Sequence, residues 1–326
     1  MSKLFDIMYS GKGEIADLFR PLVGAETAPP QPTAAGTNGD TPPPAPAPVQ
    51  ARGGSPGRLS LAGQVRTLSL RIPAPSPLLP FEEGQWRPSE QYRILRTKIV
   101  QHVAQPRMIV ISSPASGDGK SVSAINTAAA LSLKVEAQVL LMDADFRKSS
   151  VHALLGLPES PGLAEVLRGA CSLDEALVRT REFPNLFVIS AGKPPENPAE
   201  LLDSPAWQAL SGRLRELFRY VILDSPPVGA VADYDLIQAV CDGVILVVRP
   251  DHTNRQLCQR SLETVPKTKL LGVLLNCVPE WSLARSAGGD YYYYYSGEKA
   301  SQSSHHNEGE RQPPAPPRAE DRMEDS

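Results

Sequence analysis

MIVISSPASGDGKSVSAINTAAALSLK, residues 108–134, decides the fold. Met108 to Ser112 reads as a short strand, SPASGDGKS as a glycine-bearing turn, and Lys120 to Lys134 as a helix free of glycine and proline. Gly117 and Gly119 let the backbone curl so that successive N–H groups converge on one anion, and the helix start adds its positive end. A strand, such a loop and a helix in this order form a phosphate-binding loop. Its segment Ser116, Gly117, Asp118, Gly119, Lys120, Ser121 and Val122 is the candidate nucleotide-binding stretch. Lys120 is placed to reach the β and γ phosphates of ATP, and Ser121 to give its hydroxyl to Mg²⁺. Pro114 stands where the pattern G-x-x-x-x-G-K-S has its first glycine.

Working outward, short apolar runs recur at Val139 to Met142, Leu186 to Ser190, Tyr220 to Leu223, Val244 to Val248 and Leu270 to Asn276. Helix-length segments lie between them: Gly162 to Arg168, Pro198 to Phe218, Asp233 to Val240 and Asn254 to Val265. Strands apolar on both faces, alternating with helices, predict a doubly wound α/β domain with a mainly parallel sheet of P-loop NTPase type. Its ligand belongs at the carboxyl ends of the strands. Two strands end there in acid: Val139 to Met142 runs into Asp143-Ala144-Asp145-Phe146-Arg147, and Tyr220 to Leu223 into Asp224-Ser225-Pro226-Pro227. A single such aspartate is ordinarily a turn residue, but carboxylates from two strands beside a phosphate loop point to one Mg²⁺-nucleotide.

The 326 residues carry 33 prolines and a formal charge of −3. That charge, without a basic stripe, gives no support to nucleic-acid binding. Prolines and small residues crowd the stretch after the first 23 residues, and residues 280–326 are again polar. Neither region can offset its ordering entropy by burial. The predicted organisation is a possible docking helix at 1–23, a linker at 24–87, a folded domain at 88–279 and a flexible tail at 280–326. Cys171, Cys241, Cys258 and Cys277 lack metal-ligand spacing and read as reduced thiols of a cytoplasmic protein. The longest apolar runs have strand length, well short of the ~20 residues a membrane helix requires. Five consecutive tyrosines, Tyr291, Tyr292, Tyr293, Tyr294 and Tyr295, interrupt the polar tail, where aromatics gain little from burial. A nucleotide site upstream of a row of phenols suggests an enzyme that phosphorylates its own tail.

From about Pro88 to Tyr295 the chain resembles the bacterial tyrosine kinase family, the P-loop autokinases of capsule and exopolysaccharide synthesis. The resemblance rests on the phosphate loop, on LLMDADFRK, on VILDSPP, on Glu90, Arg93 and Arg96 in SEQYRILRTKI, and on the tyrosine cluster. The family has proline and glutamate where this chain has Ser116 and Asp118, and often threonine at Val122. The resemblance implies an ATP- and Mg²⁺-dependent protein-tyrosine autokinase that phosphorylates Tyr291 to Tyr295 between protomers. Catalytic positions are Lys120, Asp143, Asp145 and Asp224, with Ser121, Asp143 and Asp224 about the metal. Either Asp143 or Asp145 would accept the tyrosine proton. Arg249 and Asn276 match the family's base-side positions, and a strand-end hydrogen bond is the competing role for them. Glu90, Arg93 and Arg96 match an oligomer-interface helix; their competing role is an intrahelical salt bridge. The resemblance also implies a homo-oligomer held at the inner face of the membrane by an integral-membrane activator of the chain-length-determinant type. Two competing functions are a partition-type ATPase, which has a signature lysine where Ala115 stands and lacks the tyrosine run, and a non-catalytic nucleotide-binding regulator of polysaccharide export.

Overall fold

The computed structural model describes residues 5–7, 65–72, 76–78, 86–134 and 137–278. Among the described residues nine strands form one sheet: β1 (Phe5–Ile7), β2 (Arg66–Leu68), β3 (Met108–Ser112), β4 (Val139–Asp143), β5 (Val178–Thr180), β6 (Leu186–Ile189), β7 (Tyr220–Asp224), β8 (Gly243–Val248) and β9 (Leu270–Leu275). Their order across the sheet is β1-β9-β8-β3-β7-β4-β6-β5-β2. All neighbours pair in parallel except β1 with β9 and β5 with β6.

Alternation within the strands explains why they read as apolar throughout. Met108, Val110, Leu140, Met142, Val221 and Leu223 face one core. It is covered by α7 (Pro205–Leu217) and α8 (Ala232–Ala239), with α9 (Arg255–Thr264) adding Cys258. Ile109, Ile111, Val139, Leu141, Tyr220 and Ile222 face a second core, covered by α1 (Trp86–Gln101), α2 (Lys120–Ser132) and α3 (Val151–Leu155). Period-two alternation with oil on both sides is the physical requirement of a parallel sheet.

Three expectations meet a different structure. The loosely helical pattern of 1–23 holds a strand at Phe5–Ile7, paired with β9, so ladder bonds override helical spacing there; the rest of 1–23 lies outside the described residues. Within the stretch read as linker, Arg66–Leu68 pairs with β5, Leu78 is buried, and α1 begins at Trp86. The segment Pro198 to Phe218 is two helices, α6 (Pro198–Leu202) and α7. Ser204 caps α7 by accepting from the N–H of Trp207, and Pro205 sits in its first turn, where a missing N–H costs nothing. The tyrosine cluster and the tail from residue 279 lie outside the described residues.

Candidate active site

The phosphate loop joins β3 to α2. Gly117 and Gly119 adopt φ of +93° and +94°, conformations that L side chains rarely tolerate. A Cβ on Gly119 would also collide with the Asn276 carboxamide. The loop delivers Lys120 as the first residue of α2, with Ser121 behind it.

Sheet register brings the acids to that helix. Asp143 and Asp224 are direct partners across β4 and β7. They continue the alternation of Val139, Leu141, Tyr220 and Ile222, so both carboxyls fall on the α2 side of the sheet. Lys120 Nζ lies 2.8 Å from Asp145 Oδ2 and 3.5 Å from Asp224 Oδ1. Burial alone would lower the lysine's pKa, but Asp224 and Asp145 outweigh it and the ammonium is held above its usual range. Asp224 is fully buried and neither of its oxygens has a hydrogen bond of good geometry, although the Ser121 hydroxyl also stands beside it. Burial, only partly offset by Lys120, pushes its carboxyl up.

Asp143 is satisfied differently. Its Oδ1 accepts from the N–H of Asp145 at 3.2 Å, and its Oδ2 from Ser150 and Val151 at 3.0 and 3.1 Å. Burial and then the neighbouring Asp224 charge push it up to about 7. The neighbouring Asp143 and Asp224 carboxyls, both raised although Lys120 stands 3.5 Å from Asp224, together with the Ser121 hydroxyl, suit a divalent ion. Among the described residues no three His, Cys, Asp or Glu side chains cluster to hold a metal on their own. The remaining ligands would therefore come from water and phosphate.

Other predicted residues take defined places. Asp118 turns its buried carboxylate away from the loop's anion cradle: Oδ2 accepts from Ala115 N–H at 2.9 Å, while Oδ1 accepts from Thr253 Oγ1 at 2.7 Å and pairs with His252 Nδ1 at 2.9 Å. Asn276 donates through Nδ2 to the Asp118 carbonyl at 2.8 Å and accepts from Cys277 N–H at 2.9 Å, which ties the end of β9 to the phosphate loop. The Arg249 N–H donates to Thr253 Oγ1 at 3.0 Å, within the same loop. Ser116 accepts from Lys148 Nζ at 3.2 Å, and Val122 is half-buried against the α2-side core. Glu90 and Arg93 form an exposed ion pair at 3.4 Å, whereas Arg96 reaches the Ala130 carbonyl near the end of α2 at 3.4 Å. The sequence reading missed His252 and Thr253, which no local spacing announces, and the bidentate pair of Arg147 with buried Asp233 at 2.8 and 3.1 Å.

No family model matches the chain. In sequence it is 36% identical over 192 residues to the tyrosine-protein kinase YwqD of Bacillus subtilis (strain 168), a match covering 58% of this chain and 80% of that protein. It is 32% identical over 206 residues to the tyrosine-protein kinase CpsD of Streptococcus agalactiae, covering 62% of this chain and 87% of CpsD. In structure it is similar to the crystal structure of the chimerical protein CapA2B2, with a TM-score of 0.59 and 30% identity over 67% of this chain and 95% of that one.

Proposed function

The chain belongs to the bacterial tyrosine-protein kinases, and from the groups gathered at its strand ends we propose how it works as an ATP-dependent autokinase. The observation that carries this reading is the junction of Lys120, Ser121, Asp145 and Asp224, with the ammonium 2.8 and 3.5 Å from two buried carboxylates. When bound, ATP supplies the phosphoryl group and Mg²⁺ neutralises charge on it. Loop N–H groups from Ser116 to Ser121 orient the phosphates, and Lys120 follows the terminal one. Ser121 and Asp224 would hold the cation, with Asp143 beside them.

A tyrosine hydroxyl, with a pKa of about 10, needs a proton acceptor to become a good nucleophile. Both oxygens of Asp143 are occupied by main-chain N–H groups, whereas Asp145 Oδ2 holds the mobile end of Lys120 and would be freed when that ammonium turns to phosphate. We assign the base role to Asp145. The acceptors are Tyr291 to Tyr295, and the domain that acts on them includes, beside 88–278, the strands Phe5–Ile7 and Arg66–Leu68 and the start of α1 at Trp86. Glu90 and Arg93 present an exposed charged pair on α1 for contact with a second protomer.

Among the described residues, no helix is long and apolar enough to cross a membrane. A separate integral-membrane activator and a role in capsule or exopolysaccharide synthesis complete the proposal. The test is incubation with ATP and Mg²⁺ followed by detection of phosphotyrosine. Lys120→Met is expected to retain the wild-type circular-dichroism spectrum and to lose phosphorylation by ~100-fold or more, the scale for one preorganised charge at a transition state. Undiminished phosphorylation in this variant would overturn the assignment.

A further inference from the structure

Lys148 lies outside the residues assigned above, yet it touches both halves of the site. Its main-chain N–H donates to Asp145 Oδ1 at 2.9 Å, while the other oxygen of that carboxylate holds Lys120 Nζ at 2.8 Å. One carboxylate thus holds the Lys120 side chain and fixes the Lys148 main chain. The Lys148 side chain is exposed and crosses to the phosphate loop, where its ammonium donates to Ser116 Oγ at 3.2 Å. A neutral hydroxyl compensates an ammonium poorly, and among the described residues Lys148 forms no ion pair.

The direction of approach matters. Lys120 serves the β and γ phosphates; the Lys148 main chain is tied to the same Asp145 carboxylate, and its ammonium crosses to Ser116 on the loop, which brings the second cation to the side of the site that Lys120 serves. The loop's other flank is closed by Asn276, His252 and Thr253 on Asp118. We propose that Lys148 reads the terminal phosphate: it exchanges Ser116 for the γ-phosphate oxygens and makes the site prefer a triphosphate to a diphosphate. This deepens the kinase reading and rests on it. Once the phosphoryl group has moved to tyrosine, ADP offers Lys148 no partner, so the same contact favours exchange of product for fresh ATP.

The experiment is calorimetric titration of the full chain, in Mg²⁺, with ADP and with a non-hydrolysable β,γ-imido analogue of ATP. Lys148→Met is expected to weaken the analogue about tenfold, the scale of one charge-assisted hydrogen bond, and to leave ADP within about twofold, as for an exposed charge without a contact. Lys148→Arg should recover most of the loss, and added salt should shrink the wild-type preference for the analogue. Equal losses for both nucleotides, or no loss for either, would overturn the proposal. A wild-type chain that binds neither nucleotide would instead overturn the nucleotide site beneath it.

Discussion

Lys120 and Asp145 form the exchange at the centre of the site. In the described structure the ammonium rests on Asp145 at 2.8 Å, a contact that opposes both functions assigned to the pair. The lysine is drawn off the phosphates and the acid is kept from accepting a proton. Asp145→Asn keeps the shape but removes the charge, so Lys120 should turn to phosphate more readily while transfer loses its base. ATP is therefore expected to bind as well as or better than in the wild type. Tyrosine phosphorylation should fall by ~10²–10⁴, the usual contribution of a general base. Nucleotide titration and single-turnover phosphorylation on one preparation check both halves; a parallel fall in binding and transfer would make Asp145 a binding residue only.

At the scale of elements, α1 divides its arginines between two tasks. Arg93 stays on the surface with Glu90, a pair worth tenths of a kcal/mol. Arg96 instead donates to a carbonyl near the end of α2, where the helix dipole favours a cation. Arg93→Ala is thus expected to weaken self-association, read as mass by light scattering, without lowering the melting temperature. Arg96→Ala should cost ~1 kcal/mol of stability, the net worth of a typical hydrogen bond. Identical assembly in Arg93→Ala would remove α1 from the interface. The same elements show how far sequence goes. The β3–loop–α2 unit and the acids ending β4 and β7 were legible because they coincide: a strand-end aspartate alone reads as a turn residue, whereas two strands ending in acid beside one glycine-bearing loop do not. The break at Pro205 also had a local signal, a serine cap followed by proline. Strands of three residues such as β1, β2 and β5 carry no usable period and exist only through pairing. The tie of Asp118 to His252 and Thr253 joins residues 134 and 135 positions apart, which one-dimensional spacing does not announce.

For the whole molecule, the decisive geometry is where the tail leaves. β9 runs parallel to β8, so it ends on the same sheet edge as the phosphate loop, and Asn276 already donates to that loop. From Pro279 to Asp290 the chain has twelve residues before the first tyrosine of the cluster, which if extended span ~40 Å. A span of that length is sufficient for the proposed transfer between protomers. Transfer between protomers can be isolated by mixing two complementary chains. Lys120→Met keeps its acceptors but cannot transfer phosphate, whereas a chain with Tyr291 through Tyr295 changed to Phe keeps the site but offers no hydroxyl. Neither should gain tail phosphate alone. Together, the Lys120→Met chain should become phosphorylated between Tyr291 and Tyr295, at an initial rate that rises with the concentration of its partner, as phosphopeptide mass spectrometry would record. Each phosphate adds about −1.5 to −2 charges at neutral pH, so a loaded cluster is repelled from a site already lined by Asp143, Asp145 and Asp224. Wild-type assemblies should accordingly loosen with time in ATP, while the Phe chain stays associated. If the mixture remains unphosphorylated while wild type labels itself at a rate independent of concentration, the tail serves its own protomer and the switch works within one chain.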